Sequence, residues 1–354
     1  MAAALFSAFK IRDVTFRNRI FMAPMCQYSA RDGIATPWHL VHYGARAAGG
    51  SSLLIVEATA IAPEGRISPA DLGLWNDEQA KALRPLTDFI HSQGAVAGIQ
   101  LAHAGRKAST NSPWLGSGPL ALNDGGWTPV APSPVAFAPG YPVPSEIPTS
   151  GLKRIVEEFK EAAGRAMHAG FKVIELHMAH GYLMHQFLSP LSNHRQDGYG
   201  GSLENRMRLP LMVAHAVREV WPSDKPLFVR LSATDWAEAG WDLDQCTEFV
   251  RRLKEAGVDF IDCSTGGLVA DAKIPVAPGF QVPFAAALKE RCQIPTGAVG
   301  LITEPEQAER ILASGEADAI LLGRELLRSP HWPLTAAQIL KAEIEWPQQY
   351  RRAK

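Results

Sequence analysis

The sequence predicts an α/β fold, a single closed (β/α)8 TIM barrel, on three observations. Apolar, strand-like runs alternate strictly with amphipathic helical segments, and there are eight such units. The strand-like runs are apolar throughout, as in a parallel sheet covered on both faces. Glycines and polar, titratable side chains recur at their carboxyl ends, where a barrel of this kind carries its chemistry. The alternative is an open doubly wound sheet. Against it, no GxGxxG stands between a strand-like run and a helix.

Each element has a local reason. Positions 11–16 alternate weakly and predict a short strand or N-terminal hairpin that plugs one end of the fold. Positions 19–23 form the first strand and run into Pro24, Met25 and Cys26. Thr36 caps a helix over 37–48, which Gly49 and Gly50 stop. The second strand is 52–59 (SLLIVEAT), followed by a helix over 77–92 between the cap Asn76 and Gly94. The third strand, 96–101, leads to His103, Gly105, Arg106 and Lys107. A long Pro/Gly-rich loop follows over 109–150. Its length suits a lid, a binding loop or disorder, and Trp114 and Trp127 argue against simple disorder. A helix over 151–169 places Ile155, Phe159, Ala162 and Ala166 on one face.

The fourth strand, 171–176, delivers His177, His180 and Tyr182 and then a Gly/Asn/Asp-rich loop up to Gly200 and Gly201. Helices over 203–221, 243–256, 282–292 and 304–314 then alternate with strands over 227–231, 258–263, 295–299 and 319–322. Gly323, Arg324 and a helical tail close the chain. No low-complexity linker divides it, so one domain over residues 1–354 is expected.

Composition narrows the function classes. The 354 residues are 46% hydrophobic and 20% charged, which is ordinary globular composition. With 35 Lys and Arg against 36 Asp and Glu, the formal charge is −1, and no basic excess invites nucleic acid or a membrane surface. The first residues lack the charged-then-apolar pattern of a secretory signal, and no apolar run reaches membrane-spanning length. The 4 cysteines, Cys26, Cys246, Cys263 and Cys292, lack CxxC spacing and read as reduced thiols of a cytoplasmic protein.

The strand ends give an inventory of the expected site. They supply Pro24, Met25, Cys26 and Tyr28, then Ala58, Gln100 and His103, then His177, His180 and Tyr182. Arg230, Ser264, Gly266 and Gly267 follow, and Gly297, Gly300, Gly323 and Arg324 complete the set. Glycines after the last two strands, with an arginine beside them, suit a phosphate group. Gln100 and Arg230 need partners when buried. A planar, heteroatom-rich ring would satisfy them; the plain reading of Arg230 is an ion pair with Glu175 or Glu57. The spacing of His177 and His180 leaves three readings: metal ligands lacking an evident third, core histidines, or paired donors to one substrate oxygen with Tyr182 giving a proton. Spacing alone favours the core reading, as for the same HxxH at His39 and His42 on a predicted helix.

The motifs APMCQY at 23–28, VEATA at 56–60, IQLAHAGRKA at 99–108 and ELHMAHGYLMHQFLSPLSNHRQDGYGGSLENR at 175–206 resemble the old yellow enzymes. So do FVRLSATD at 228–235 and LLGRELLRSP at 321–330. The pairing of Cys26 with Tyr28 is similar to the bacterial thermophilic-like subgroup, which includes NADPH dehydrogenases and xenobiotic reductases. The resemblance implies non-covalent FMN in one barrel, with Ala23, Pro24, Met25, Cys26, Ala58, Gln100 and Arg230 along the isoalloxazine and ribityl chain. It implies phosphate contacts at Gly300, Gly323 and Arg324. It gives His177 and His180 the substrate carbonyl oxygen with Tyr28 beside it, Tyr182 the role of proton donor, and Cys26 the tuning of the flavin potential. Near the end, Tyr350 and Arg352 resemble a tail that enters a neighbouring subunit's site, in a homodimer or homotetramer. The implied reaction is NADPH-driven ene reduction of activated alkenes, such as enones, with xenobiotic detoxification as its setting. Related dienoyl-CoA reductases carry an iron–sulfur cluster on closely spaced cysteines, a spacing not found here.

Overall fold

The structure is a computed structural model and describes residues 3–354. Eight strands close a parallel barrel: β1 (Ile20–Met22), β2 (Leu53–Ala60), β3 (Val96–Ala102), β4 (Val173–Met178), β5 (Leu227–Ser232), β6 (Phe260–Ser264), β7 (Thr296–Ala298) and β8 (Ala319–Leu322). Each strand pairs with the next in the chain, and β8 returns to β1 through Ile320↔Ile20 and Leu322↔Met22.

The helices are α1 (Pro37–Ala48), α2 (Asp77–Ser92), α3 (Thr149–His168), α4 (Leu183–Leu188), α5 (Leu203–Val220), α6 (Leu243–Glu255), α7 (Val282–Cys292), α8 (Pro305–Ala313), α9 (Arg324–Arg328) and α10 (Trp332–Ile339). The predicted bounds of α1, α2, α7 and β8 coincide with those found; the other elements shift by a residue or two. Capping explains the sharp starts. Asn76 accepts the Gln79 N–H at 2.9 Å, while Gln79 Oε1 accepts the Asn76 N–H at 3.2 Å. On α3, Ile155, Phe159, Ala162 and Ala166 are all buried, as their spacing requires.

The base of the barrel is sealed. Phe9–Ile11 and Val14–Phe16 form an antiparallel hairpin whose Phe16 ring lies 4.8 Å from that of Phe21. Phe228 and Phe260, neighbours in register, stack at 4.4 Å just above. Two residues further along the strands the interior turns polar: Gln100 stands opposite Glu175, and Arg230 opposite Asp262. This order, aromatic plug and then a charged layer, sets the floor of the site.

Two features refine the expectation, the first in line with the case against simple disorder and the second not foreseen. The long segment after β3 holds a small parallel ladder, Val130–Ala131 with Ser145–Glu146, so it is structured in part. The short helix α4, fully buried, follows Tyr182 where only a loop was predicted.

Candidate active site

The loops at the carboxyl ends of the strands bring together Cys26, Tyr28, His177, His180 and Tyr182 above Gln100 and Arg230. The His177 ring lies 4.8 Å from Tyr182 and 5.3 Å from His180, edge to face in both cases. The Ala179 N–H donates to His177 Nδ1 at 3.3 Å, so the ring proton of a neutral His177 sits on Nε2. His180 Nε2 lies 2.7 Å from Ser264 Oγ. Burial, and then the positive charge of Arg230, hold both imidazoles well below the ordinary histidine value, so both are neutral. Burial likewise raises Tyr182 well above the ordinary phenol, with the neighbouring Cys26 and Tyr28 adding to the shift.

The floor is a buried hydrogen-bonded and ionic layer. Gln100 Nε2 donates to Glu175 Oε1 at 2.8 Å, and Arg230 Nε lies 3.0 Å from Asp262 Oδ2. Arg230 therefore pairs with Asp262 on the next strand, which corrects the expected pairing with Glu175 or Glu57. Arg230 and Asp262 are direct neighbours in register, whereas Glu175 stands opposite Phe228 and Glu57 is held by His39. Burial pushes the carboxyl groups of both Glu175 and Asp262 up, against the pull of Arg230.

One wall carries Ala23, Pro24, Met25, Cys26 and Tyr28. Burial, and then the charge of Asp71, push the Cys26 thiol up, so it is no thiolate near neutral pH. Ala58, Ala102, Ala104 and Ala108 form an apolar patch against which Cys26, Tyr28 and Tyr182 pack. At the ends of β7 and β8, Gly300 has φ +116 and Gly323 caps α9, whose first residue is the exposed Arg324.

Three site features were not anticipated. Lys107 Nζ donates to the carbonyl oxygens of His180 at 2.9 Å and Gly267 at 3.1 Å, and lies 5.1 Å from the centre of the Tyr182 ring. Its place directly after His103 and Arg106 at a strand end was the available signal. Asp71 is buried, accepts the Ile67 N–H at 2.7 Å, and faces a small cavity lined also by Ala58, Ala102 and Tyr182. His39, expected to be structural, lies 3.2 Å from buried Glu57. The tail residues Tyr350 and Arg352 do not join this constellation. They lie in a short 3-10 helix, Gln348–Ala353, and Tyr350 packs on His331.

Comparison with known proteins adds the family. A family model described as the NADH:flavin oxidoreductase / NADH oxidase family matches residues 4–343. An NADPH dehydrogenase of Listeria innocua is 52% identical over 351 residues, covering 99% of this chain and 98% of that protein. The solved structure of morphinone reductase aligns with a TM-score of 0.81 at 27% identity, covering 98% of this chain and 92% of its own. An old yellow enzyme homologue from Zymomonas mobilis aligns at 0.79 and 28%, covering 97% and 94%. Fold and likeness together define an FMN-dependent oxidoreductase of the barrel class. The chain belongs to the NADH:flavin oxidoreductase / NADH oxidase family, of the old yellow enzyme type, and FMN is its cofactor.

Proposed function

We propose that this chain is an NADPH-driven ene-reductase acting on α,β-unsaturated carbonyl compounds and related electrophilic alkenes, with residues 1–354 working as one FMN-binding domain. The observation that carries the reading is the pair of neutral imidazoles, with Tyr182 beside them, at the mouth of a sealed barrel. NADPH as reductant rests on the names of relatives near half identity.

The residues fit FMN. A Cβ built on Gly323 would meet nothing closer than Met25 Sδ at 3.6 Å, so packing within the chain does not fill the space beside it. The gap suits a phosphate held by Gly300, Gly323 and Arg324. Gln100 keeps its carbonyl oxygen, and Arg230 its outer guanidinium nitrogens, for a planar ring bordered by Ala23, Pro24, Met25, Cys26 and Ala58. Bound FMN supplies the hydride that reaches the acceptor's β-carbon.

The chain does the rest. His177 and His180 each donate one N–H to the acceptor's carbonyl oxygen and stabilise the negative charge that develops on it. Tyr182, kept protonated by burial, gives its proton to the α-carbon. Tyr28 borders the acceptor, and Arg352 reaches the site of a neighbouring subunit in a homodimer or homotetramer. Exposed Trp38 and Val41 on α1 offer apolar surface for that assembly. The four unpaired thiols fit a reducing, cytoplasmic setting, and the broad acceptor chemistry fits detoxification of xenobiotics.

The test is direct. The purified protein should be yellow, lose its flavin absorbance anaerobically with NADPH, and regain it with an enone. A colourless protein that refuses added FMN, or a reduced one that no enone reoxidises, would overturn the proposal.

A further inference from the structure

Two loops carry the site's reactive side chains, and the same device lies under each. In the first loop the Gln27 N–H, between Cys26 and Tyr28, donates to Glu57 Oε2. The other carboxylate oxygen, Oε1, lies 3.2 Å from His39 Nε2. His39 Nδ1 accepts the Thr36 N–H at 3.0 Å, which places the proton of a neutral ring on Nε2, facing Glu57. In the second loop the Gly181 N–H, between His180 and Tyr182, donates to His185 Nδ1 at 2.9 Å. That fixes the His185 proton on Nε2, which lies 2.8 Å from Asp235 Oδ1. Asp235 Oδ2 is held in turn by the Ser189 hydroxyl at 2.6 Å and the Trp241 N–H at 2.8 Å. All four members, His39, Glu57, His185 and Asp235, are at most 1% exposed, so none of them touches a ligand at the mouth.

The backbone explains why anchors are needed there. Tyr28 has φ +47° and His180 has φ +58°, a left-handed conformation that large side chains avoid. Each strained residue directly adjoins an anchored N–H: Gln27 precedes Tyr28, and Gly181 follows His180. Left-handed backbone at such residues persists where the surroundings over-determine it. In the second loop no side chain can replace Gly181, since a Cβ there would come within 2.2 Å of the Gly267 carbonyl oxygen. The carbonyls of this loop are held separately, by Lys107 on His180 and by Gln186 on Gly181.

We propose that His185–Asp235 and His39–Glu57 are positioning pairs, each fixing one strained site loop through a single backbone N–H. The first pair aims His180 and Tyr182 at the acceptor; the second aims Cys26 at the flavin and Tyr28 at the acceptor. The proposal rests on the site reading above.

The experiment uses FMN-loaded protein and 4-hydroxybenzaldehyde, whose phenolate oxygen stands in for a developing enolate. His185→Phe removes the acceptor of the Gly181 N–H. It is expected to retain FMN, leave the flavin midpoint potential unchanged and weaken the phenol by about tenfold or more, read from the flavin spectrum. His185→Asn returns an acceptor oxygen near Nδ1 and is expected to recover most of that affinity. Should His185→Phe not fold, Asp235→Asn carries the test, with an expected loss of about threefold or more. Glu57→Ala should move the flavin potential, and Glu57→Gln should restore it. Phenol affinities within twofold of wild type for His185→Phe, or equal losses in His185→Phe and His185→Asn, would overturn the pairing proposal. A wild-type protein that binds FMN but no phenol would instead overturn the site reading beneath it.

Discussion

The role proposed for His177 and His180 is that of neutral donors, and their surroundings favour the neutral form. Burial and Arg230 oppose the imidazolium form, so the acid limb of the acceptor reaction should not fall near the usual histidine value of 6.5. We expect kcat/KM for an enone to be flat across that value from about pH 5.5 to 8. A fall with an apparent pKa near the ordinary value would remove the neutral-donor role. Replacing either ring, His177→Ala or His180→Ala, should cost about 10²–10³ in turnover while FMN stays bound. Near-wild-type turnover in both variants would sink the assignment. Asp71 supplies a different residue-scale outcome. Burial foremost pushes its carboxyl up to about 8, from the ordinary 3.8. The folded chain thus binds this proton more tightly than the unfolded chain. The stability it contributes is full below pH 3.8 and is lost as the pH rises through about 8. Asp71→Asn should remove that decline, as read by denaturant melts at a series of pH values.

At the scale of elements, the sequence was legible where one segment carries its own signals. Thr36 with Gly49 bounds α1, and Asn76 with Gln79 starts α2, because caps and stops act within a few residues. The helix α4 was missed: its six residues are all buried, too few and too uniform to show a helical period. Of the site, the mouth residues could be read from strand ends, but the layer beneath could not. Arg230 meets Asp262, and His185 meets Asp235, through pairings between distant segments that no local spacing records. A charge inside an apolar run, as in VIELH, FIDCS or LLIVEAT, was the one hint. Two elements give tests. Phe16→Ala opens the aromatic plug and should cost about 3–5 kcal/mol in a denaturant melt, with FMN affinity unchanged in the folded protein. Gly267→Ala would bring a Cβ within 2.7 Å of the His180 backbone, at a φ of +88°. It should displace the histidine loop and lower enone turnover more than FMN content; equal turnover would show that the loop yields.

For the molecule as a whole, charge and hydropathy describe a protein without an evident affinity for polyanions. No helix among the described residues is long and apolar enough to cross a membrane. The tail beyond α10 packs beside Arg17, Ala47 and Gly94, around the foot of its own barrel, away from the imidazoles. Deleting residues 344–354 should therefore leave FMN content intact, and should raise KM only if a neighbouring copy uses Arg352. An unchanged KM in the associated protein would free Arg352 of that role. The aromatic plug has a kinetic consequence as well. A vessel stoppered at the foot has one doorway, and whatever delivers reducing equivalents must vacate it before the recipient can enter. Initial rates measured against both reactants should then give parallel double-reciprocal lines, the mark of a substituted-enzyme cycle, and converging lines would mean that two visitors fit through the doorway together.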